Sequence, residues 1–275
     1  MGIEENKEEN QYIHSNLEKE TDQERLNDLE LTWDSTTIRH LEMLGVSTGW
    51  KCLDVGAGFG SITGWLSDRV DSQGKVVTTE IRTELHRETN DNVEIRQHNI
   101  LTDELENDYY DLVHCRTLLQ HLGEPEKALS NMAKAVKPGG WLLIEEFDNL
   151  TLPSFDSNDP DADFYYRFLN KAGQIQIRLR YFDVEFGRKV RRLIDELGFQ
   201  DVGSEGTTKV VRGGESWARF EVTSYQALVE RLSDVLTEEE KKLLEDMDKV
   251  ISLLENPSFY YASYPLISTW GRKPK

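Results

Sequence analysis

The sequence predicts an α/β protein, a doubly wound sheet of mostly parallel strands covered by helices. Three observations predict it. Beyond Gly49, short apolar runs alternate with stretches of helical periodicity, the pattern of strands buried on both faces and joined by helical crossovers. The first of those runs ends in alternate glycines and passes straight into a helical stretch, as the opening βα turn of such a sheet does. At 275 residues the chain can bury a large core, as one large domain or two small ones.

Residues 1 to about 20 hold six Glu and two Lys with almost no apolar periodicity, so a frayed tail is expected to roughly Tyr12. From Glu24 to Gly45, Leu26, Leu29, Trp33, Ile38, Leu41 and Leu44 recur at helical steps. Two helices are expected there, with Asp34 or Ser35 as a cap between them and Gly45 as the stop. The expected strands are residues 52–55, 75–79, 93–97, 111–115 and 141–145, with helices near 62–70, 83–89 and 126–136 between them. The run Lys137-Pro138-Gly139-Gly140 reads as a turn that ends the last of these helices.

After Asp148 the alternation breaks into a Pro- and Asp-rich loop, residues 150–161, and an aromatic-rich helix from Asp163 to about Leu179. Position and composition suggest a lid, in which Phe155, Phe164, Tyr165, Tyr166 and Phe168 offer flat apolar surface to an acceptor or simply pack as core. A helix over 187–197 and a sixth strand from Phe199 follow. Residues 216–255 are helical, and the stretch 259–270 reads as a last edge strand.

Acidic residues outnumber basic ones by 51 to 32, for a formal net charge of −19. That charge repels nucleic acid and anionic lipid, so neither is an expected partner. The one basic cluster, Arg188, Lys189, Arg191 and Arg192, reads as a solvated helix face. Cys52 and Cys115 lie in apolar runs as reduced core residues, no zinc-ligand pattern or other metal site is found, and no leader or membrane span is visible. A cytoplasmic protein is expected.

The chemistry is concentrated in Leu53-Asp54-Val55-Gly56-Ala57-Gly58-Phe59-Gly60-Ser61. Glycines let the backbone turn tightly and approach a ligand at the carboxyl edge of the sheet. A dinucleotide fingerprint needs its third glycine where Ser61 stands, which disfavours a nicotinamide-dependent oxidoreductase. Glu80 ends the next strand, twenty residues beyond Gly60, where two carboxylate oxygens can accept both hydroxyls of a ribose.

Asp54 with Gly56, Gly58 and Gly60, followed by Glu80, resembles class I S-adenosylmethionine-dependent methyltransferases, close to the ubiquinone/menaquinone-biosynthesis-like branch acting on small molecules. The likeness covers roughly residues 30–148 and 187–204. It implies a Rossmann-like seven-stranded sheet with the last strand antiparallel, S-adenosylmethionine as cofactor and a small-molecule acceptor. It also implies residues 1–30 as a tail and cofactor-covering helix, and residues 31–275 as the methyltransferase domain with inserts at 150–186 and 213–257. By the same resemblance Asp54, Gly56 and Gly58 hold the methionine end, Glu80 the ribose, Asn99 and Ile100 the adenine, and Arg116 lines the methionine portion. Tyr12, ahead of an acidic, Arg-containing helix, would fold over the cofactor.

Methyl transfer is an in-line displacement on an O, N or C nucleophile, and placement in a dry pocket supplies much of the catalysis. If a base is needed, His121, Glu145, Glu146 and Asp148 stand at or beyond strand ends, with His121 and Glu146 singled out. The rival for His121 is loop support, and for Glu145 and Glu146 pairing with Arg167, Arg178 or Arg180 of the lid. Two rival functions keep the fold: a decarboxylase, cyclase or pericyclase that uses the sulfonium without transferring its methyl, and a noncatalytic binding module. A monomer or homodimer is expected.

Overall fold

A computed structural model of the chain describes residues 17–87, 89–151, 156, 158–180 and 182–275. Tyr12 and Phe155 lie outside the described residues. The first element, α1 (Lys19–Met43), is one continuous helix where two were expected. Asp34 and Ser35 sit in mid-helix, and the division placed between residues 30 and 31 falls inside it. The helix stops as expected, with Leu44 as its last cap and Gly45 left-handed.

The strands are β1 (Lys51–Val55), β2 (Lys75–Glu80), β3 (Val93–Gln97), β4 (Tyr110–Arg116) and β5 (Val136–Phe147), with helices α2 (Ser61–Val70) and α3 (Pro125–Ala135) between them. After them come α4 (Pro160–Leu179), α5 (Phe186–Glu196), β6 (Gln200–Thr207), β7 (Val210–Arg212), α6 (Ser216–Leu232), α7 (Lys242–Glu245), α8 (Met247–Glu255), β8 (Tyr260–Ala262) and β9 (Leu266–Arg272). Seven strands form one sheet in the order β3-β2-β1-β4-β5-β9-β6, with β9 antiparallel to both of its neighbours. β1 is parallel to both neighbours, and the chain winds outward through β2 and β3 on one side before crossing to β4 on the other; that reversal of winding opens a crevice at the carboxyl ends, where ligands bind in doubly wound sheets.

Three expectations are corrected. The helix near 83–89 is a single 3-10 turn, Thr83–Leu85. The Lys137-Pro138-Gly139-Gly140 run lies within β5, where the pairing with β4 shifts register and Gly139 has φ +78°. A bulge, not a turn, absorbs the glycine there. The stretch 259–270 is two strands separated at Pro265, which lacks the N–H needed to continue a ladder. β8 pairs with β7, and β9 lies inside the main sheet, leaving β6 at the edge.

Trp33 ties the layers together. It is fully buried, edge-on to Phe147 of β5 at 5.4 Å and to Trp217 of α6 at 5.5 Å, contacts worth about 0.5–1.5 kcal/mol each beyond area burial. Helix α1 is thereby clamped across the strand ends, and Arg219 of α6 adds an ion pair to Asp28. The basic face of α5 is neutralised in place: Arg188 meets Asp148, Lys189 meets Asp183, Arg191 meets Asp195 and Arg192 meets Glu196. Of the lid aromatics, Tyr165 and Phe168 are buried core residues while Tyr166 is exposed.

Candidate functional site

The chain leaves β1 at Val55 and turns through Gly56 and Gly58, both left-handed at φ +67° and +59°, a conformation glycine adopts without steric cost. Their backbone lines a cavity of about 370 Å³ that lies between the strand ends, α1 and α6. A Cβ on Gly56 would come within 2.8 Å of Leu118. Gly60 serves a different neighbour: a Cβ there would stand 2.4 Å from the His86 ring, and Gly60 does not line the cavity.

Glu80 lines the cavity opposite the loop, and its carboxylate accepts N–H bonds from Gly58 at 3.0 Å and Ile81 at 2.8 Å. Burial raises its pKa against the pull of those N–H groups. Asp54 is buried at the end of β1, accepting from Thr63 at 2.7 Å and facing His114 Nδ1 at 2.7 Å. Glu145 accepts from Thr37 at 2.5 Å and Ser268 at 2.6 Å. Arg116 is bonded to Thr37 and Asp34, each at 3.0 Å. Asp54, Gly56, Gly58, Glu80 and Arg116 thus stand around one cavity.

Helix α1 also closes the site against phosphate. Glu30 accepts from the Ser61 N–H at 2.9 Å, capping α2, and pairs with Arg87. A carboxylate already occupies the first N–H of the helix that would hold a diphosphate, which reinforces what Ser61 indicated about a dinucleotide.

The remaining candidates fall apart in space. Asn99 turns its carboxamide oxygen to the Leu101 N–H at 3.0 Å, Ile100 is a core residue, and neither lines the cavity. Glu146 faces the chain rather than the cavity: it accepts from the N–H groups of Leu118, Leu119 and Gln120 at 3.0, 2.7 and 3.4 Å. Burial pushes its carboxyl up to about 8 even against those bonds. Asp148 pairs with Arg188 at 2.8 Å. The lid arginines do not meet Glu145 or Glu146; Arg167 pairs with Asp163, and Arg178 with Glu240. His121 does line the cavity, beside Gln120 and 5.5 Å from the Phe182 ring, with its pKa lowered to about 3 by burial and by Arg25.

The far end of the cavity lies on the insert expected at 213–257, but none of its residues was singled out from the sequence. Trp217, Phe220, Glu221, Ser224 and Tyr225 of α6 form its wall with Tyr264. Their spacing, i, i+3, i+4, i+7 and i+8, is one face of a helix, and a Glu inside that apolar stripe was the available signal. Glu221 is buried, accepting from Tyr261 at 2.5 Å and Tyr225 at 3.2 Å.

A family model described as a methyltransferase domain matches residues 14–202. The ubiquinone/menaquinone biosynthesis C-methyltransferases of Vibrio vulnificus (strain YJ016) and Yersinia enterocolitica are 29% and 31% identical, over 52% of this chain and 56% and 59% of theirs. The chain therefore spans little more than half the length of these curated relatives. Two solved structures share the fold. A candidate methyltransferase from Bacillus halodurans C-125 aligns with TM-score 0.57 at 18% identity, over 88% of this chain and all (100%) of that one. A phosphoethanolamine N-methyltransferase 2 of Haemonchus contortus, solved with S-adenosyl-L-methionine, aligns with TM-score 0.54 at 17% identity, over 88% of this chain and 53% of that one.

Proposed function

The chain belongs to the methyltransferase-domain family, and from that premise we propose that it is a class I S-adenosylmethionine-dependent methyltransferase that methylates a small molecule bound in the same cavity as the cofactor. The observation that carries this reading is continuity: one cavity runs from the glycine loop and Glu80 to the aromatic face of α6. A cofactor end and an acceptor end in one space are what an in-line displacement requires.

The residues fit the cofactor. Gly56 and Gly58 line the cavity with backbone alone, and Glu80 offers carboxylate oxygens at the adjoining strand end. Asp54, Gly56 and Gly58 would hold the methionine end and Glu80 the ribose, with Arg116 lining the methionine side. When bound, S-adenosylmethionine supplies an electrophilic methyl group. The protein's own contribution is placement and exclusion of water: α1, clamped by Trp33, covers the loop, and Phe147, Phe182 and Phe220 make the walls apolar. His121, kept neutral by burial and Arg25, can orient an acceptor but is too weak a base to take its proton.

No helix among the described residues is long and apolar enough to cross a membrane. We place the reaction in the cytoplasm, where the buried, unpaired Cys52 and Cys115 stay reduced. The test is calorimetric titration with S-adenosylmethionine, S-adenosylhomocysteine and NADH side by side. The two adenosyl-sulfur ligands should bind and NADH should not; binding of NADH, or of none of the three, overturns the reading.

A further inference from the structure

The far end of the cavity contains a buried carboxyl group, Glu221, with no cationic partner among the described residues, and burial raises its pKa to about 7. Every arginine in the cavity wall is paired with a carboxylate: Arg25 with Asp22, Arg82 with Asp22 and Glu84, and Arg116 with Asp34. Among the described residues Glu221 has no such match. Its recorded hydrogen-bond partners are the hydroxyls of Tyr225 and Tyr261, and Tyr225 is in turn 3.3 Å from the Tyr165 hydroxyl and 3.5 Å from that of Tyr264. A buried carboxylate held only by neutral donors lacks a cationic partner, and breaking such a pair is costly where both partners exist.

The surrounding wall holds further polar atoms without a partner among the described residues, one of them the donor Trp217 Nε1. Gln120 Oε1, Asn149 Oδ1, Gln176 Oε1 and Ser224 Oγ all line this cavity, are buried, and have no hydrogen-bond partner among the described residues. Gln120 is only 4% exposed. Three of these four atoms are carbonyl oxygens, which can only accept. Phe147, Phe182, Trp217 and Phe220 line the same cavity and make its walls apolar, with Trp217 stacked on Phe220 and Arg25 over the Phe220 ring at 5.3 Å. A native protein rarely leaves so many buried polar atoms unpaired in one place unless a ligand pairs them. An anion would face the Glu221 carboxyl, and an alcohol would leave Glu221 without a cationic partner.

Resting on the methyltransferase reading, we propose that Glu221 is a specificity residue that holds the ammonium group of an amine acceptor with an apolar, aromatic-compatible body, its N–H groups bonded to the carbonyl oxygens around it. A carboxyl group without a cation and carbonyl oxygens without a donor line one cavity, and an ammonium is the chemical class that answers both.

The experiment is calorimetry on the full chain saturated with S-adenosylhomocysteine, using 2-phenylethylamine, 2-phenylethanol and phenylacetate as probes of one shape and three charges. The amine should bind at least tenfold more tightly than the alcohol, and phenylacetate should not bind. Glu221→Gln should lose at least tenfold in amine affinity while retaining wild-type affinity for S-adenosylhomocysteine. The probe series on the wild-type chain keeps the inference testable even if that variant fails to fold. Equal binding of amine and alcohol, binding of phenylacetate, no binding of the amine, or an unchanged amine affinity in a folded Glu221→Gln overturns the proposal and leaves the methyltransferase reading intact. Failure of S-adenosylhomocysteine itself to bind overturns that reading, and this proposal with it.

Discussion

His114 Nδ1 lies 2.7 Å from Asp54 Oδ1, and its Nε2 lies 3.5 Å from Glu145 Oε2, so one imidazole in β4 stands between carboxylates at the ends of β1 and β5. The pairing register makes this geometry: Asp54 is directly opposite His114, and Glu145 directly opposite Arg116. Burial disfavours a charged imidazole, but hydrogen bonds and attraction to the two carboxylates outweigh it and raise His114 to about 9, while Asp54 and Glu145 are both lowered. The site floor is an ionised triad whose charge is set by strand register.

A stability consequence follows from the sign of that shift. The folded chain binds the His114 proton more tightly than the unfolded chain does, so the contribution is complete below the ordinary value of 6.5 and is lost as pH rises through about 9. Its size is on the order of 3 kcal/mol. Urea unfolding from pH 6 to 10 should show the wild-type midpoint falling across that window, with a shallower fall in His114→Gln. Parallel pH profiles for the two proteins would remove the triad from the stability account.

Gly58→Asp should abolish cofactor binding while leaving the fold largely intact. The new side chain sits on a left-handed residue 3.4 Å from Leu26 and brings a second carboxylate beside Glu80, which accepts the Gly58 N–H. Calorimetry with S-adenosylhomocysteine decides it, with circular dichroism as the control for folding. Wild-type affinity in a folded variant would displace the cofactor from the glycine loop.

Glu80→Ala should weaken S-adenosylhomocysteine binding by roughly 1–3 kcal/mol, the scale of hydrogen bonds to a charged group. Glu80→Gln, which keeps one accepting oxygen for the Gly58 N–H, should lose less. If both variants bind as the wild type does, Glu80 acts on the loop alone and not on the ligand.

What the sequence revealed divides along physical lines. The sheet was legible because two-sided burial writes continuous apolar runs, and the glycine loop because glycine takes the left-handed turns at 56 and 58 without steric cost. Helix α1 was misread as two because Asp34 and Ser35 look like caps. The structure shows instead that Asp34 is drawn inward by Ser61 and Arg116, partners distant in sequence. Within the 213–257 insert the cavity-lining residues of α6 were hidden for the same reason: nothing local announces that Glu221 meets Tyr261 of β8. Gly60 and Asn99 carry the right residue type at the right spacing but spend it on His86 and Leu101.

Glu146 separates a structural carboxyl from a catalytic one most sharply. Both of its oxygens accept backbone N–H groups from residues 118–120, the segment that places Leu118, Gln120 and His121 in the cavity wall. Glu146→Ala strands three buried donors at about 1–3 kcal/mol each. With relaxation and water entry absorbing part of this, a loss on the order of 3–5 kcal/mol is expected, which at about 2–4 °C per kcal/mol for a chain of this size is a drop of roughly 6–20 °C in Tm. Glu146→Gln keeps the shape and one acceptor and should retain more than half of that stability. The melting temperatures of the two variants, measured with their affinities for S-adenosylhomocysteine, check it. A Glu146→Ala protein that melts like the wild type but no longer turns over would restore Glu146 as the base and displace the backbone role assigned to it.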